Sequence, residues 1–175
     1  MMRTPSCRVM ALSLCAGMFA LPALTGPVDM PNRKPGLWEI RVSHGPQMPA
    51  MTMQQCTDAT TDKDMAASFS PMAKEMCAKQ DMQKTTTGLV IDATCTVGGT
   101  TSVSRTEING DFNSAYTVKV STKGDGKQPE AVTMMDAKWL GACKADQKAG
   151  DIVMPGGIKM NIKDMQAMTG ARPKQ

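Results

Sequence analysis

Aromatic residues make up only 3% of this 175-residue chain: two tryptophans, one tyrosine and three phenylalanines. A protein that reads nucleic acid needs basic tracks interleaved with stacking side chains. Neither is present, so nucleic acid is excluded as a partner. Histidine is scarcer still, with His44 alone, and it adjoins Gly45-Pro46. A Ser-His or Cys-His nucleophile would depend wholly on that one loop residue, and His44 reads instead as a solvated loop side chain. No G-x-S-x-G, H-E-x-x-H or phosphate-cradling glycine loop occurs. Leucine is nearly absent beyond residue 25, where only Leu37, Leu89 and Leu140 are found. Charge of one sign is also lacking. The formal net charge is +4, and Arg3 and Arg8 precede every acid in the chain, which leaves +2 for the remainder. So weak a bias selects no partner.

Arg3 and Arg8 are followed by an apolar run from Val9 to Leu24 that contains Gly17 and Pro22 and ends in small residues. This is the pattern of a secretory signal peptide, here residues 1–25. The run is short for a bilayer span, and Leu14 stands before Cys15 where a lipid-attachment site needs a small residue. The expected product is therefore a periplasmic protein with no membrane span after signal removal. Residues 26–33, with Pro27 and Pro31, read as a flexible leader.

The first clean two-residue period comes at 34–42, where Trp38, Ile40 and Val42 alternate with Glu39 and Arg41 behind Pro35-Gly36. That predicts a half-buried β-strand. A second strand is expected over 51–57. Between 58 and 70, alanine, methionine and charge replace β-branched residues, with Asp58, Thr61 or Asp62 available as N-cap. A helix is expected there, stopping at Ser70-Pro71 because the residue before proline is pushed from helical geometry, with Met72 to Cys77 available for a second helical turn. From about residue 79, Gly88, Gly98-Gly99, Asn109-Gly110 and Gly124-Asp125-Gly126 recur at strand-plus-turn intervals. An antiparallel meander follows, and Asn109-Gly110 is its strongest expected hairpin turn. Ile158, Ile162, Met165 and Thr169 stand at helical spacing and suggest a short terminal helix.

Four cysteines remain beyond the signal: Cys56, Cys77, Cys95 and Cys143, with no C-x-x-C pair. An even number in an exported chain reads as two disulfides, and the wide spacing opposes zinc or thioredoxin-like chemistry. Three pairings are possible. A hairpin turning at Thr85-Thr86-Thr87-Gly88 would set Cys77 opposite Cys95 within disulfide reach, leaving Cys56 for Cys143.

Methionine is the compositional excess. Met1, Met2, Met10 and Met18 fall in the signal, which leaves 14 of the 18. Thioethers select Cu(I), and Met51/Met53, Met134/Met135 and Met165/Met168 offer local pairs, with Met51 and Met53 the candidate site. Because the methionines are spread along the chain, they are better read as adaptable core filler in place of leucine. Trp38 and Trp139 are expected as core anchors that could together line a ligand cavity inside a curved sheet.

Pro35-Gly36-Leu37-Trp38-Glu39, Cys56-Thr57, the Cys77 to Cys95 block, Trp139-Leu140-Gly141-Ala142-Cys143 and Gly150-Asp151-Ile152-Val153-Met154-Pro155 together resemble a bacterial exported family, domain of unknown function 3617. The resemblance spans residues 34–168. It implies a periplasmic proteobacterial protein with paired cysteines and no established catalytic residue.

The expectation is then one α+β domain over 34–168 with a frayed tail at 169–175. Its fold would be a curved, open-barrel-like antiparallel meander of six or seven strands, with the 58–70 helix against it. The expected function is a non-enzymatic binding or envelope-associated module that takes a small apolar ligand or an envelope protein and needs no cofactor. The alternative is methionine-based Cu(I) binding or an oxidant sink. A carboxylate-dependent hydrolase is the third reading.

Overall fold

Trp38 is fully buried, Ile40 is buried and Val42 is half-buried, whereas Arg41 between them faces water. This alternation builds β1 (Gly36–His44), and the rest of the chain is laid on either side of it. The computed structural model describes residues 30–45, 48–124 and 129–170. The expected signal peptide, the start of the expected leader, Asp125-Gly126 and the last five residues lie outside them.

The further elements are β2 (Met51–Thr57), α1 (Ala59–Met76), β3 (Cys77–Lys84), β4 (Gly88–Val97) and β5 (Thr100–Asp111). They continue with β6 (Ala115–Gly124), β7 (Ala131–Gly141), β8 (Asp151–Val153), β9 (Lys159–Asn161) and α2 (Ile162–Gly170). Among the described residues, nine strands join one antiparallel sheet in the order β3-β4-β5-β6-β7-β1-β2-β8-β9, open at β3 and β9. Helix α1 touches β2 and also β3 and β4, near opposite ends of that order. The sheet therefore curls, and α1 lies within the curl.

The sheet exceeds the upper end of the six or seven strands expected by two, because the segment after Cys143 adds the short β8–β9 hairpin to the edge of β2. Residues 159–161 pair as β9 rather than opening a helix, so α2 begins at Ile162, which is buried, and Ile158 is left 64% exposed. The glycines of Pro155-Gly156-Gly157 both have positive φ and turn the chain between the two strands.

Helix α1 runs unbroken through Pro71 to Met76, so the second turn expected after Pro71 is joined to the first helix without the expected stop. Proline removes one amide donor from the ladder, but the helix is fixed at both ends. At its start Thr61 N donates to Asp58 Oδ1 (2.7 Å) while Asp58 N donates to Thr61 Oγ1 (2.9 Å), a reciprocal cap. At its end Met76 is followed at once by Cys77 in β3.

Asn109-Gly110 is not a turn. Both residues sit inside β5, opposite Thr117 and Tyr116. The reversal comes later, at 112–114, where the Asp111 carboxylate accepts from Asn113 N (2.9 Å) and Ser114 Oγ (3.0 Å). What requires glycine at 110 is close approach: φ is +122°, and a Cβ there would lie 2.6 Å from the Ala115 carbonyl oxygen. Tyr116 and Phe112 stack with ring centroids 4.6 Å apart.

The core joins Trp38, Ile40, Leu89, Ile108, Tyr116 and Ala137 from five strands. Burial of each large side chain contributes on the order of 1.5–3 kcal/mol.

A graded concave face as the candidate functional site

Side chains directly opposed across an antiparallel ladder project to the same face, so the register sorts the sheet into rows. The side that carries α1 is identified by Gln55 Nε2 donating to Met65 Sδ (3.9 Å) and by the contact of Thr57 Oγ1 with Thr61 Oγ1 (3.2 Å). On that concave side the first row is Gln55, Trp38 and Trp139. The next is Met53, Ile40, Ala137, Tyr116 and Gly110. The third crosses six strands without a polar residue: Met51, Val42, Met135, Val118, Ile108 and Leu89.

Beyond that row the chemistry changes. The fourth row is His44, Thr133, Val120, Thr106, Ile91 and Met82. The fifth is Ala131, Thr122, Ser104, Ala93 and Gln80, and Ser102 with Cys95 and Cys77 follows. The concave face is thus closed at one end by Trp38, Trp139 and the polar Gln55, apolar and half-buried in the middle, and lined by hydroxyls at the other. The convex face carries most of the sheet's charges; Lys84 of β3, opposite Leu89, stands at the edge of the third concave row. There Arg105 pairs with Asp92 (3.0 Å) and Glu107 (3.3 Å), and Glu39 and Arg41 oppose Lys138 and Asp136.

Trp38 and Trp139 are opposed in this register, yet both indole N–H groups are committed to the segment before β1. Trp38 Nε1 donates to Lys34 O (2.8 Å) and Trp139 Nε1 to Pro35 O (3.1 Å). The Lys34 ammonium lies 3.6 Å from the centroid of the Trp139 ring. The pair fastens the strand entry and floors the closed end. Two surface clefts are lined by other residues. One of about 860 Å³ lies beside Thr85, Thr87, Asn109 and Phe112, and one of about 500 Å³ lies beside Glu39, Arg41, Thr117 and Asp136.

The disulfides join Cys56 to Cys143 and Cys77 to Cys95. The β3–β4 hairpin turns at 85–87, and a register shift between Cys77 and Lys79 restores the two cysteines to opposition. The other bridge ties β2 to the chain just beyond β7, from either side of β1. Met51 and Met53 share the concave face one row apart, and Met53 packs on the core. Among the described residues no group of three His, Cys, Asp or Glu side chains could hold a metal. His44 Nδ1 lies 3.1 Å from Thr133 Oγ1 at the exposed end of β1.

Sequence reasoning missed Arg33. It falls in the supposed leader but is 8% exposed. Its Nε donates to Asp62 Oδ1 (2.6 Å), its main-chain N to Asp62 Oδ2 (2.8 Å) and its Nη1 to Gln55 Oε1 (3.0 Å). Burial pushes the Tyr116 phenol up, against the opposing charge and hydrogen bond of Arg33. A charged residue between prolines carries no sequence mark of burial. The nearest hint is an acid in the first turn of the following helix.

The elements define a class: a curled open antiparallel sheet, spanned by one helix and stapled twice, with an apolar-to-hydroxyl gradient on its concave side. A family model described as a protein of unknown function, DUF3617, matches residues 33–143, and the chain belongs to that family. The match ends at the last cysteine, so β8, β9 and α2 lie beyond it. No curated protein and no solved structure matches the chain.

Proposed function

We propose that the protein is an exported, non-catalytic binding module of the cell envelope that holds a small apolar ligand against its concave face. The observation that carries this reading is the third row. Six apolar side chains cross six strands, and four of them, Met51, Val42, Met135 and Val118, stay only half-buried. Apolar surface left partly open on the concave side of a curled sheet gains free energy when a ligand covers it. Export accords with two disulfides, which persist in oxidising compartments. No described helix is long and apolar enough to cross a membrane. The shifted carboxylates serve local structure: Asp58 caps α1, Asp111 holds the β5–β6 turn and Asp151 ties Lys148 to Asn161.

The test is titration with an apolar naphthylamine dye whose fluorescence rises on leaving water. The protein should enhance the dye saturably, and Val118→Glu, which places a charge in the third row, should abolish the enhancement while the melting transition stays cooperative. Equal enhancement by both proteins would remove the concave face as the site.

A further inference from the structure

We infer that the ligand of the concave face is a single-chain amphiphile with an uncharged, hydrogen-bonding headgroup, its tail along Val42, Met135 and Val118 and its head at Ser104 and Thr122. This rests on the apolar-ligand reading above and adds the orientation and headgroup chemistry of the bound molecule.

The observation behind it is an inversion of burial at the hydroxyl end. Along β5, Ser102 and Ser104 point into the concavity and are half-buried, whereas Val103 between them points outward and is 55% exposed. A sheet stabilised only by burying its concave side would place valine inward and the serines in water. Thr122, opposite Ser104, is also half-buried, while Lys123 beside it is exposed. The hydroxyl row is therefore placed against the hydrophobic pattern, where a polar group on a ligand would meet it.

Charge supports a neutral head. The fourth and fifth concave rows contain no Asp, Glu, Lys or Arg, while the outward positions of the same strands carry Arg105, Glu107, Lys119 and Lys123. Apart from His44, two strands away from Thr122 on β1, these rows offer a phosphate or carboxylate no cationic partner, so bringing one to Ser104 and Thr122 would give up water at a cost. A polyol or amide head instead exchanges water for serine and threonine hydrogen bonds at little net loss. The length also fits: Val118 to Thr122 is four residues of strand, roughly 13 Å, so an extended acyl chain over the third row reaches the hydroxyls with its head.

The experiment competes the naphthylamine dye on the full mature chain with monolauroylglycerol and with laurate, which share a tail and differ in head. Monolauroylglycerol should displace the dye at a concentration roughly tenfold below that of laurate. Ser104→Ala with Thr122→Val should erase that preference, and Thr122→Ser, which keeps the hydroxyl, should retain it. Laurate displacing the dye as well as the glycerol ester does would overturn the headgroup inference and leave the apolar site standing. Failure of the dye and both amphiphiles to bind would overturn the apolar-ligand reading and this inference together.

Discussion

Arg33 and Asp62 meet twice across 29 positions of sequence, through the guanidinium Nε at 2.6 Å and the main-chain amide at 2.8 Å. The pair is buried, 8% and 9% exposed at the side chains. It joins the segment before β1 to the first turn of α1, above Trp38, whose ring centroid lies 6.0 Å from the Arg33 Cζ. Removing one partner strands the other without water. Asp62→Ala should therefore destabilise the fold by about 3–5 kcal/mol, whereas Arg33→Met with Asp62→Leu should recover much of the loss. Urea unfolding of the three proteins checks this, and a single variant as stable as wild type would show that the contact contributes little.

The two staples differ in the loop they close. Cys56 and Cys143 are 87 positions apart and Cys77 and Cys95 only 18. On loop entropy the longer contributes about 4–5 kcal/mol and the shorter about 3 kcal/mol. Paired Cys→Ala variants should thus lose more stability at 56/143 than at 77/95, read as the shift in denaturation midpoint. Non-reducing peptide maps should contain only these two linkages.

Acid should weaken the fold through Asp58 and Asp151. Hydrogen bonds from the Thr61 amide and hydroxyl hold the Asp58 carboxyl below its ordinary 3.8. For Asp151 burial acts upward, but hydrogen bonds from Asn161 and the Lys148 amide, with the Lys159 and Lys148 charges, outweigh it, and the net shift is downward from 3.8. In both cases the unfolded chain binds protons more readily than the folded one. The contribution is complete above the unfolded value and is lost as pH falls through the folded value. Melting temperature should be flat above about pH 5 and fall below about pH 4. Asp58→Asn, which keeps a capping oxygen but does not titrate, should shallow that acid limb.

Copper offers a separate check on the methionines. With Met53 packed on the core and Met51 beside Val42 in the third row, anaerobic Cu(I) titration should give only binding that a weak competitor strips. Sub-nanomolar affinity lost on changing Met51 and Met53 together would assign the face to metal instead.

Much of this architecture is legible from period-two alternation. Trp38, Ile40 and Val42 identify β1, Tyr116, Val118 and Val120 identify β6, and the spacing of Cys77 and Cys95 about residue 86 locates the β3–β4 hairpin. The misread places share a cause, since local chemistry there was overruled by contacts far along the chain. Asn109-Gly110 carries turn chemistry, but Gly110 is needed because Ala115 and Tyr116 approach it closely. Pro71 breaks helices in isolation, but α1 is capped by Asp58 and runs straight into β3. Residues 159–161 follow a helical period until β8 offers them an edge. The concave gradient was illegible for a different reason. Each strand shows only its own alternation, and the rows exist only once the register aligns Met51, Val42, Met135 and Val118 across four strands.

Native mass spectrometry of the protein purified from its native cells, without detergent, tests the binding reading most directly. The expected species is a mature chain starting between residues 24 and 27 that carries a lipid-sized adduct, released by organic extraction and regained on incubation with a neutral single-chain lipid. A chain that retains Met1, or a mature chain that is bare as isolated and takes up neither lipid nor apolar dye, would contradict the proposed function.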